Sequence, residues 1–314
     1  MEPPELSIVL PIFNEEPVID ELHRRLGEFL AAVGTTWEVI FVDDGSNDGS
    51  FAKLKALCSA EPKYRLVSFS RNFGHQLAIT CGLDYARGSA VVVMDGDLQD
   101  PPEVVSEMLA RFREGYDIVH GVRRTREKES IFKRATAYFF YRLLKAVVGI
   151  NVPVDAGDFR LMSRRVVLTL RALRETSRFV RGMVAWVGFR QVVVLYDRKA
   201  RFAGETHYPF RKMLKFAFDG ITAFSIIPLR AATWLGMTAG FLGICVAGWT
   251  LYGRLYGRVV PGWTTVMITV ALGASAQLVM TGILGEYVGR IYEEVRRRPL
   301  YVVADEVNAT RESS

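Results

Sequence analysis

Two long stretches of this sequence carry no charged residue, one from 231 to 253 and one from 259 to 285. Each is longer than the roughly 20 apolar residues that a helix needs to cross the hydrocarbon core of a bilayer. We therefore expect a hairpin of two transmembrane helices, although two buried helices of a large soluble core would give the same pattern. A hydrophobic content of 50% in 314 residues favours the hairpin, because it is high for a wholly soluble protein.

Basic residues flank these two runs and indicate their orientation. Four precede the first run and four follow the second, namely Arg211, Lys212, Lys215 and Arg230, and Arg290, Arg296, Arg297 and Arg298. The loop between the runs holds only Arg254 and Arg258. Because basic flanks stay in the cytoplasm, we predict an integral, multi-pass membrane protein with both ends cytoplasmic. The start of the chain has no signal-peptide pattern, since an apolar strand begins at Leu6.

Short apolar runs alternate with segments of helical periodicity through the first half of the chain. The runs lie at 6–10, 37–42, 66–69, 90–94 and 118–120, and the segments between them are long enough for crossover helices. This order is typical of an α/β fold, with a Rossmann-like, mostly parallel sheet and helices on both faces. We expect this domain to occupy residues 1–208.

Polar residues follow three of these predicted strands where each strand ends. They are Pro11 to Glu16, Asp43 to Ser50, and the pair Asp95 and Asp97 around Gly96. Ligands collect at this edge of an open α/β sheet, and paired carboxylates there can hold Mg²⁺ or Mn²⁺ against a diphosphate. Taken singly, each Asp-Gly pair also fits a polar turn or a helix cap. Convergence of the three favours a metal-and-nucleotide site.

Other motifs and composition narrow the functional class. The sequence has no Gly-x-Gly-x-x-Gly and no Gly-Lys-Ser/Thr loop, which argues against a dinucleotide oxidoreductase and a P-loop phosphotransferase. The net charge of +6 is concentrated between residues 123 and 145 and beside the apolar runs, which favours a membrane surface or lipid phosphate over nucleic acid. Residues 209–228 have amphipathic periodicity and are predicted to lie in the membrane interface, although packing on the globular domain would fit the same pattern. The three cysteines are too scattered for a disulfide framework.

Four segments together resemble a known family. They are Ser7 to Glu16, Val42 to Ser46, Met94 to Pro102 and Gly157 to Leu161. The chain resembles family 2 glycosyltransferases of the GT-A fold, and within them the polyprenyl-phosphate glycosyltransferases, which include bactoprenol glucosyltransferases and dolichyl-phosphate mannose synthases. The resemblance extends through the apolar runs to Gly285–Arg290. It implies transfer of one sugar, with inversion, from a nucleoside diphosphate sugar to a polyprenyl phosphate, undecaprenyl or dolichyl.

The resemblance also assigns roles to individual residues. Contacts to the nucleotide are implied for Pro11, Asn14, Glu15, Asp43, Asp95, Arg201 and His207. The implied ligands of a bound Mg²⁺ or Mn²⁺ are Asp95, Asp97 and Gln99. Asp158 would act as base or orient the acceptor, and a salt bridge with a nearby arginine is its structural alternative. His207 stands where the family has lysine, which leaves its charge at neutral pH open. The acceptor phosphate would be guided by Arg123, Arg126, Lys133 and Arg134.

These inferences define a set of expectations for the whole chain. The domain of residues 1–208 should be followed by an interfacial region at 209–228, a two-helix hairpin at 229–289 and a cytosolic tail at 290–314, disordered beyond Asp305. UDP-glucose is the expected donor, and GDP-mannose is the alternative. A silent scaffold that binds nucleotide sugars is the alternative outside the enzymes. An exposed strand at 299–303 could pair with a second subunit and give a homo-oligomer.

Overall fold

The computed structural model describes residues 3–124, 156–176, 178–197, 227–256 and 262–309. The chain divides into two compact units, of which the first comprises Met1–Pro209 with Arg298–Ser314 and the second comprises Phe210–Arg297. Most of the predicted interfacial region and the last residues of the tail lie outside the described residues. Their limits therefore stay predictions.

The first unit alternates strands and helices from its start. Its elements are β1 (Leu6–Ile12), α1 (Glu16–Ala32), β2 (Trp37–Asp43), α2 (Ser50–Ala60), β3 (Tyr64–Phe69), α3 (His75–Tyr85), β4 (Ala90–Val93), α4 (Val104–Arg113), β5 (Ile118–Arg123), β6 (Ala156–Ser163), α5 (Arg164–Ala172), α6 (Val180–Trp186), β7 (Gln191–Tyr196) and β8 (Val303–Val307). The strands form one sheet in the order β7-β5-β6-β4-β1-β2-β3-β8. Only β6 and β8 run antiparallel to their neighbours among the described strands. The predicted mostly parallel α/β sheet is thus confirmed.

Helices cover both faces of this sheet. Leu6, Ile8 and Leu10 of β1 share a core with buried residues of α1, α2 and α4. Val9 points to the opposite face, because successive side chains of a strand alternate. On that face α3 packs so closely that a Cβ at Gly82 would lie 2.0 Å from Cγ1 of Val9. A strand that is buried on both faces is a nearly continuous apolar run; all seven residues of β1 are buried, and Ser7 is its one polar residue.

The C-terminal segment corrects two expectations. The predicted strand at 299–303 begins instead at Val303 and pairs with β3 of the same chain, so β3 does not end the sheet. The described part of the tail beyond Asp305, residues 306–309, is ordered, because Tyr85 hydrogen-bonds Glu306 and the side chain of Asn308 donates to the carbonyl of Tyr64 at 3.0 Å. Both predictions were wrong for one reason: pairing with an available strand edge gives this polar segment a backbone partner.

The second unit contains two long helices, α7 (Ile227–Leu255) and α8 (Trp263–Val295). Both are long and apolar enough to cross a membrane, over Ala232–Gly253 and Ile268–Val295, with mean hydropathies of 1.4 and 1.6. Helix α8 continues past the end of the charge-free run, where Glu286 and Arg290 form an ion pair one turn apart at 3.0 Å.

Candidate active site

Four strands bring polar residues to one edge of the sheet. The parallel strands β1, β2 and β4 end together, because Ile12 pairs with Asp43 and the amide of Met94 donates to the carbonyl of Val9 at 3.1 Å. Strand β6 runs antiparallel to β4 and therefore begins at this edge, with Asp158 as its third residue. The expected convergence of strand ends is present, and it includes a fourth strand that was not predicted.

The loop after β1 is fixed against the loop after β2. Pro11 is buried within β1, whereas Asn14 is exposed and has a φ of 54°. The amide of Asn14 donates to the hydroxyl of Ser46 at 2.9 Å, and its side-chain oxygen accepts from the amide of Asn47 at 2.8 Å. Glu15 is half-buried, and its amide donates to a serine hydroxyl at the start of α2. Of these nucleotide candidates, Asn14 and Glu15 border the open edge.

The two carboxylates at the end of β2 are already engaged by the protein. Asp43 is buried and accepts from the hydroxyl of Ser68 at 2.7 Å. Asp44 accepts from the amides of Phe73 and Gly74 at 2.7 and 2.9 Å. Burial raises the pKa of Asp44, although these two amide hydrogen bonds lower it. Asp44 thus ties the β2 loop to the start of α3.

The loop after β4 contains the three predicted metal ligands, Asp95, Asp97 and Gln99. Gly96 allows this loop to lie against β1, since a Cβ there would lie 2.4 Å from Cδ1 of Ile12. The amide of Gln99 donates to Oδ1 of Asp97 at 3.1 Å. Leu98 has a φ of 60°, which is an unfavourable conformation for a residue other than glycine. Such strained backbone is often found at functional sites.

Asp95 lies in an unfavourable electrostatic environment. Its Oδ1 atom is buried and has no hydrogen-bond partner among the described residues. Burial raises the pKa of Asp95 and His75 opposes this shift; with the added repulsion of Asp100, Asp158 and Asp97, the pKa is about 6. A cation beside this carboxylate would offset both the cost of burying its charge and the repulsion by the neighbouring carboxylates.

The predicted ligand set fits a hard divalent cation. Asp95, Asp97 and Gln99 offer two carboxylates and one amide oxygen, and Mg²⁺ usually takes few ligands from the protein. Within the described ranges, no group of three or more His, Cys, Asp or Glu side chains is arranged to hold a metal. The chemistry of the loop therefore supports a partial protein shell, completed by a ligand such as a diphosphate.

Asp158 is surrounded by donors. Arg181 makes a two-pronged contact, with Nε on Oδ1 and Nη2 on Oδ2, both at 2.9 Å. Nε2 of His75 lies 3.2 Å from Oδ2, and Arg160 lies 3.5 Å from Oδ1. Burial disfavours the charge of Asp158, but these neighbours outweigh it and hold its pKa well below the usual range. Arg160 is fully buried, which lowers its pKa to about 10 and leaves it charged at neutral pH.

His75 is a site residue that the sequence did not reveal. It is the first residue of α3, its side chain is 44% exposed, and Nε2 lies between Asp158 and Asp95, at 3.6 Å from Oδ1 of Asp95. Burial lowers the pKa of His75, but Asp158 and Asp95 raise it more, so the net direction is upward. No motif marks His75, because its partners are distant in sequence.

Arg123 is the one predicted acceptor residue within the described ranges. It ends β5 beside Gly157, whose hypothetical Cβ would lie 3.8 Å from Nη2 of Arg123. Arg123 is in register with Tyr196 of β7 and interacts electrostatically with its phenol, which donates to Oδ1 of Asp100 at 2.5 Å. The remaining predicted residues lie outside the described residues, namely Arg126, Lys133, Arg134, Arg201 and His207.

Comparisons with known proteins show which proteins this chain is similar to. The family model described as Glycosyl transferase family 2 matches residues 7–171. An uncharacterized glycosyltransferase of Bacillus subtilis, YkcC, is 46% identical over 300 residues, which are 95% of this chain and 93% of the relative. A prophage-derived bactoprenol glucosyl transferase of Shigella flexneri is 37% identical over 300 residues, which are 95% of this chain and 97% of the relative.

Among solved structures, a mannosyltransferase of Pyrobaculum calidifontis in complex with GDP-Man and Mn²⁺ is similar. It is 20% identical, and the match covers 88% of each chain with a TM-score of 0.46.

Proposed function

The chain belongs to glycosyl transferase family 2, and from this premise we propose that it transfers one sugar from a nucleoside diphosphate sugar to the phosphate of a membrane-embedded polyprenol. The proposed donor is UDP-glucose. The observation that carries the proposal is the group of carboxylates Asp95, Asp97 and Asp158 at one sheet edge, in a chain that also has two helices apolar enough for a bilayer. The similarity to a bactoprenol glucosyl transferase over nearly the whole chain supports the lipid acceptor.

The donor side of the site is assigned to the first three strand ends. In this proposal, Pro11, Asn14, Glu15 and Asp43 contact the nucleoside. Arg201 and His207 would contact the phosphates of the donor. The exposed position of Asn14 and the half-buried position of Glu15 support their part in this assignment.

The donor diphosphate also needs charge compensation. Asp95, Asp97 and Gln99 would hold Mg²⁺ or Mn²⁺, which, when bound, offsets negative charge on the departing nucleoside diphosphate. The buried, unpartnered oxygen of Asp95 and its raised pKa support this use.

On the acceptor side, Asp158 orients rather than deprotonates. A base needs a lone pair that can reach the nucleophile, whereas both oxygens of Asp158 accept from Arg181 or His75 and the residue is 5% exposed. The lipid phosphate is already an anion at neutral pH, so no strong base is needed. Its oxygen would attack the anomeric carbon while the bond from that carbon to the diphosphate oxygen breaks on the opposite face. A single displacement of this kind inverts the anomeric configuration.

Basic residues would bring the lipid phosphate to this position. Arg123 borders the site at the end of β5, and Arg126, Lys133 and Arg134 follow it in the sequence. An arginine can hold a phosphate through two parallel hydrogen bonds. We further propose that α7 and α8 cross the membrane as a hairpin and keep the first unit in the cytoplasm.

The direct test is a transfer assay with the purified full chain in detergent. UDP-glucose, undecaprenyl phosphate and Mn²⁺ or Mg²⁺ should give a glucosyl phosphoryl lipid, detected by mass spectrometry. GDP-mannose and dolichyl phosphate serve as alternative substrates, and the anomeric configuration of the product is read by NMR.

Two variants make this test specific. Asp97→Ala should abolish the product, whereas Asp197→Ala, at an exposed carboxylate 3.8 Å from Arg124, should leave it unchanged. Full activity of Asp97→Ala would reject the metal assignment. Tight nucleotide binding without turnover on any donor and lipid would favour a silent scaffold instead.

A further inference from the structure

We propose that Tyr196 is a positioning residue that holds Arg123 and the loop after β4 at a fixed separation; this inference rests on the proposed function. Tyr196 is the last residue of β7 and is 4% exposed. Its hydroxyl donates to Oδ1 of Asp100 at 2.5 Å, and Arg123, its register partner on β5, interacts electrostatically with the same phenol. One hydroxyl thus connects the two sides of the site.

The position of this hydroxyl is set by the packing of its ring. The ring of Tyr196 meets that of Phe159 edge to face, with centroids 5.4 Å apart and an interplanar angle of 86°. A Cβ at Gly121 would lie 2.6 Å from Phe159 and 3.2 Å from Tyr196, so glycine is needed beneath the pair. In addition, Tyr196 is in register with Arg123 along the parallel strands β5 and β7. The ring is therefore held by its packing and by the strand register, without any contribution from its hydroxyl.

The two neighbours of the hydroxyl lie on the donor side and the acceptor side of the proposed site. Asp100 follows the metal-ligand candidates on one loop, and its charge acts on Asp95. Arg123 lies beside Gly157, next to Asp158. The phenol can donate to the carboxylate and accept from the guanidinium at the same time. Loss of the Tyr196 hydroxyl would leave the Arg123 guanidinium free to shift relative to the loop after β4.

Such a shift has a specific kinetic signature. A misplacement of about 1 Å in groups that orient reactants can cost roughly 100-fold in rate. Gly96 and Ile12 fix the loop after β4 independently of Tyr196, whereas Arg123 lies beside Tyr196 as its register partner. We therefore expect Tyr196→Phe to raise the KM for the lipid phosphate by about 10-fold or more, and to change the KM for UDP-glucose by less than about 2-fold.

The matched control is Tyr64→Phe. Tyr64 is also a buried strand tyrosine, at 2% exposure, and its ring packs edge to face on Phe41 with centroids 5.5 Å apart. Its hydroxyl faces Nδ1 of His23 at 3.4 Å rather than a residue of the site. This variant should retain the kinetics of the wild type.

The experiment measures steady-state transfer by the full chain in detergent, with UDP-glucose, undecaprenyl phosphate and Mn²⁺. It compares the wild type, both Tyr→Phe variants, Arg123→Lys and the double variant of Tyr196→Phe with Arg123→Lys, with a thermal unfolding midpoint for each. If Tyr196 acts through Arg123, the double variant should be no worse than Arg123→Lys alone.

Each remaining outcome counts against the inference. Wild-type kinetics in Tyr196→Phe, or additive losses in the double variant, overturn it and leave the proposed function standing. Equal losses in both Tyr→Phe variants that follow their unfolding midpoints show a merely structural role and also overturn it. A wild-type protein that transfers no sugar to polyprenyl phosphate refutes the proposed function, and the positioning role fails with it.

Discussion

Asp95→Asn should stabilise the protein when no metal is present. Burial and neighbouring carboxylates raise the pKa of Asp95 from 3.8 to about 6. At about 1.36 kcal/mol for each pH unit, this difference corresponds to a cost of about 3 kcal/mol for keeping Asp95 ionised in the folded state. The side chain is 31% exposed, and solvent screening reduces that figure. We therefore expect a gain of about 1–2 kcal/mol, or about 3–6 °C for a unit of roughly 200 residues.

The gain should depend on pH in a defined direction. An acid with a raised folded pKa costs nothing below its unfolded pKa, and costs most above its folded pKa. The stability difference between Asp95→Asn and wild type should therefore be full above about pH 6, shrink between pH 6 and 4, and vanish below. If Asp95 binds a cation, Mn²⁺ at about 100 times its Kd would stabilise the wild type by about 2.7 kcal/mol and reverse the order.

Thermal unfolding of the full chain in detergent measures both effects, with EDTA and with Mn²⁺. Asp197→Asn is the control, since its carboxylate is 72% exposed and should shift the midpoint little. A loss of stability in Asp95→Asn at pH 7.5 in EDTA would refute the reasoning, because it would mean that the native fold favours the ionised carboxylate. The same variant should lack transfer activity under all these conditions.

Two further predictions concern stability, and a third concerns association. Asp158→Asn should destabilise the protein by about 3–5 kcal/mol, because it leaves two arginines without their buried anion. The pKa of Asp158 lies below the usual range, so the stabilisation by its charge is present above about pH 4 and is lost as the pH falls. A difference in unfolding midpoint that does not change with pH would contradict this prediction. Glu38→Gln should cost a similar amount, because buried Glu38 accepts from Arg65 and Arg87 at 3.0 and 2.9 Å, and an unchanged denaturation midpoint would exclude this. Deleting β8 should expose the edge of β3 and cause concentration-dependent association in light scattering, whereas a monodisperse truncated protein would show that the edge needs no cover.

The strands of the first half could be predicted from the sequence for a physical reason. Parallel strands under helices are buried on both faces, so each appears as an apolar run between polar loops. The predicted starts at 6, 37, 90 and 118 match those of β1, β2, β4 and β5. Strand β7 has the same apolar pattern and could have been predicted too.

Strands β6 and β8 could not be predicted in this way. β6 carries Asp158 and Arg160 at buried positions, which a local pattern does not associate with a core. β8 contains Asp305 and Glu306, which have low strand propensity. Each depends on a strand distant in the sequence, because β6 lies between β4 and β5 and β8 extends β3.

The amino-acid sequence by itself determined the strand ends that meet at one edge, the acidic loop that follows β4 and the two apolar helices. These features follow from local hydrophobic pattern and chain topology. Only the tertiary structure decided that His75 lies between Asp95 and Asp158, that Arg181 occupies both oxygens of Asp158, and that Tyr196 links Arg123 to the donor loop. These contacts join residues from separate elements, so their distances exist only once the sheet has formed.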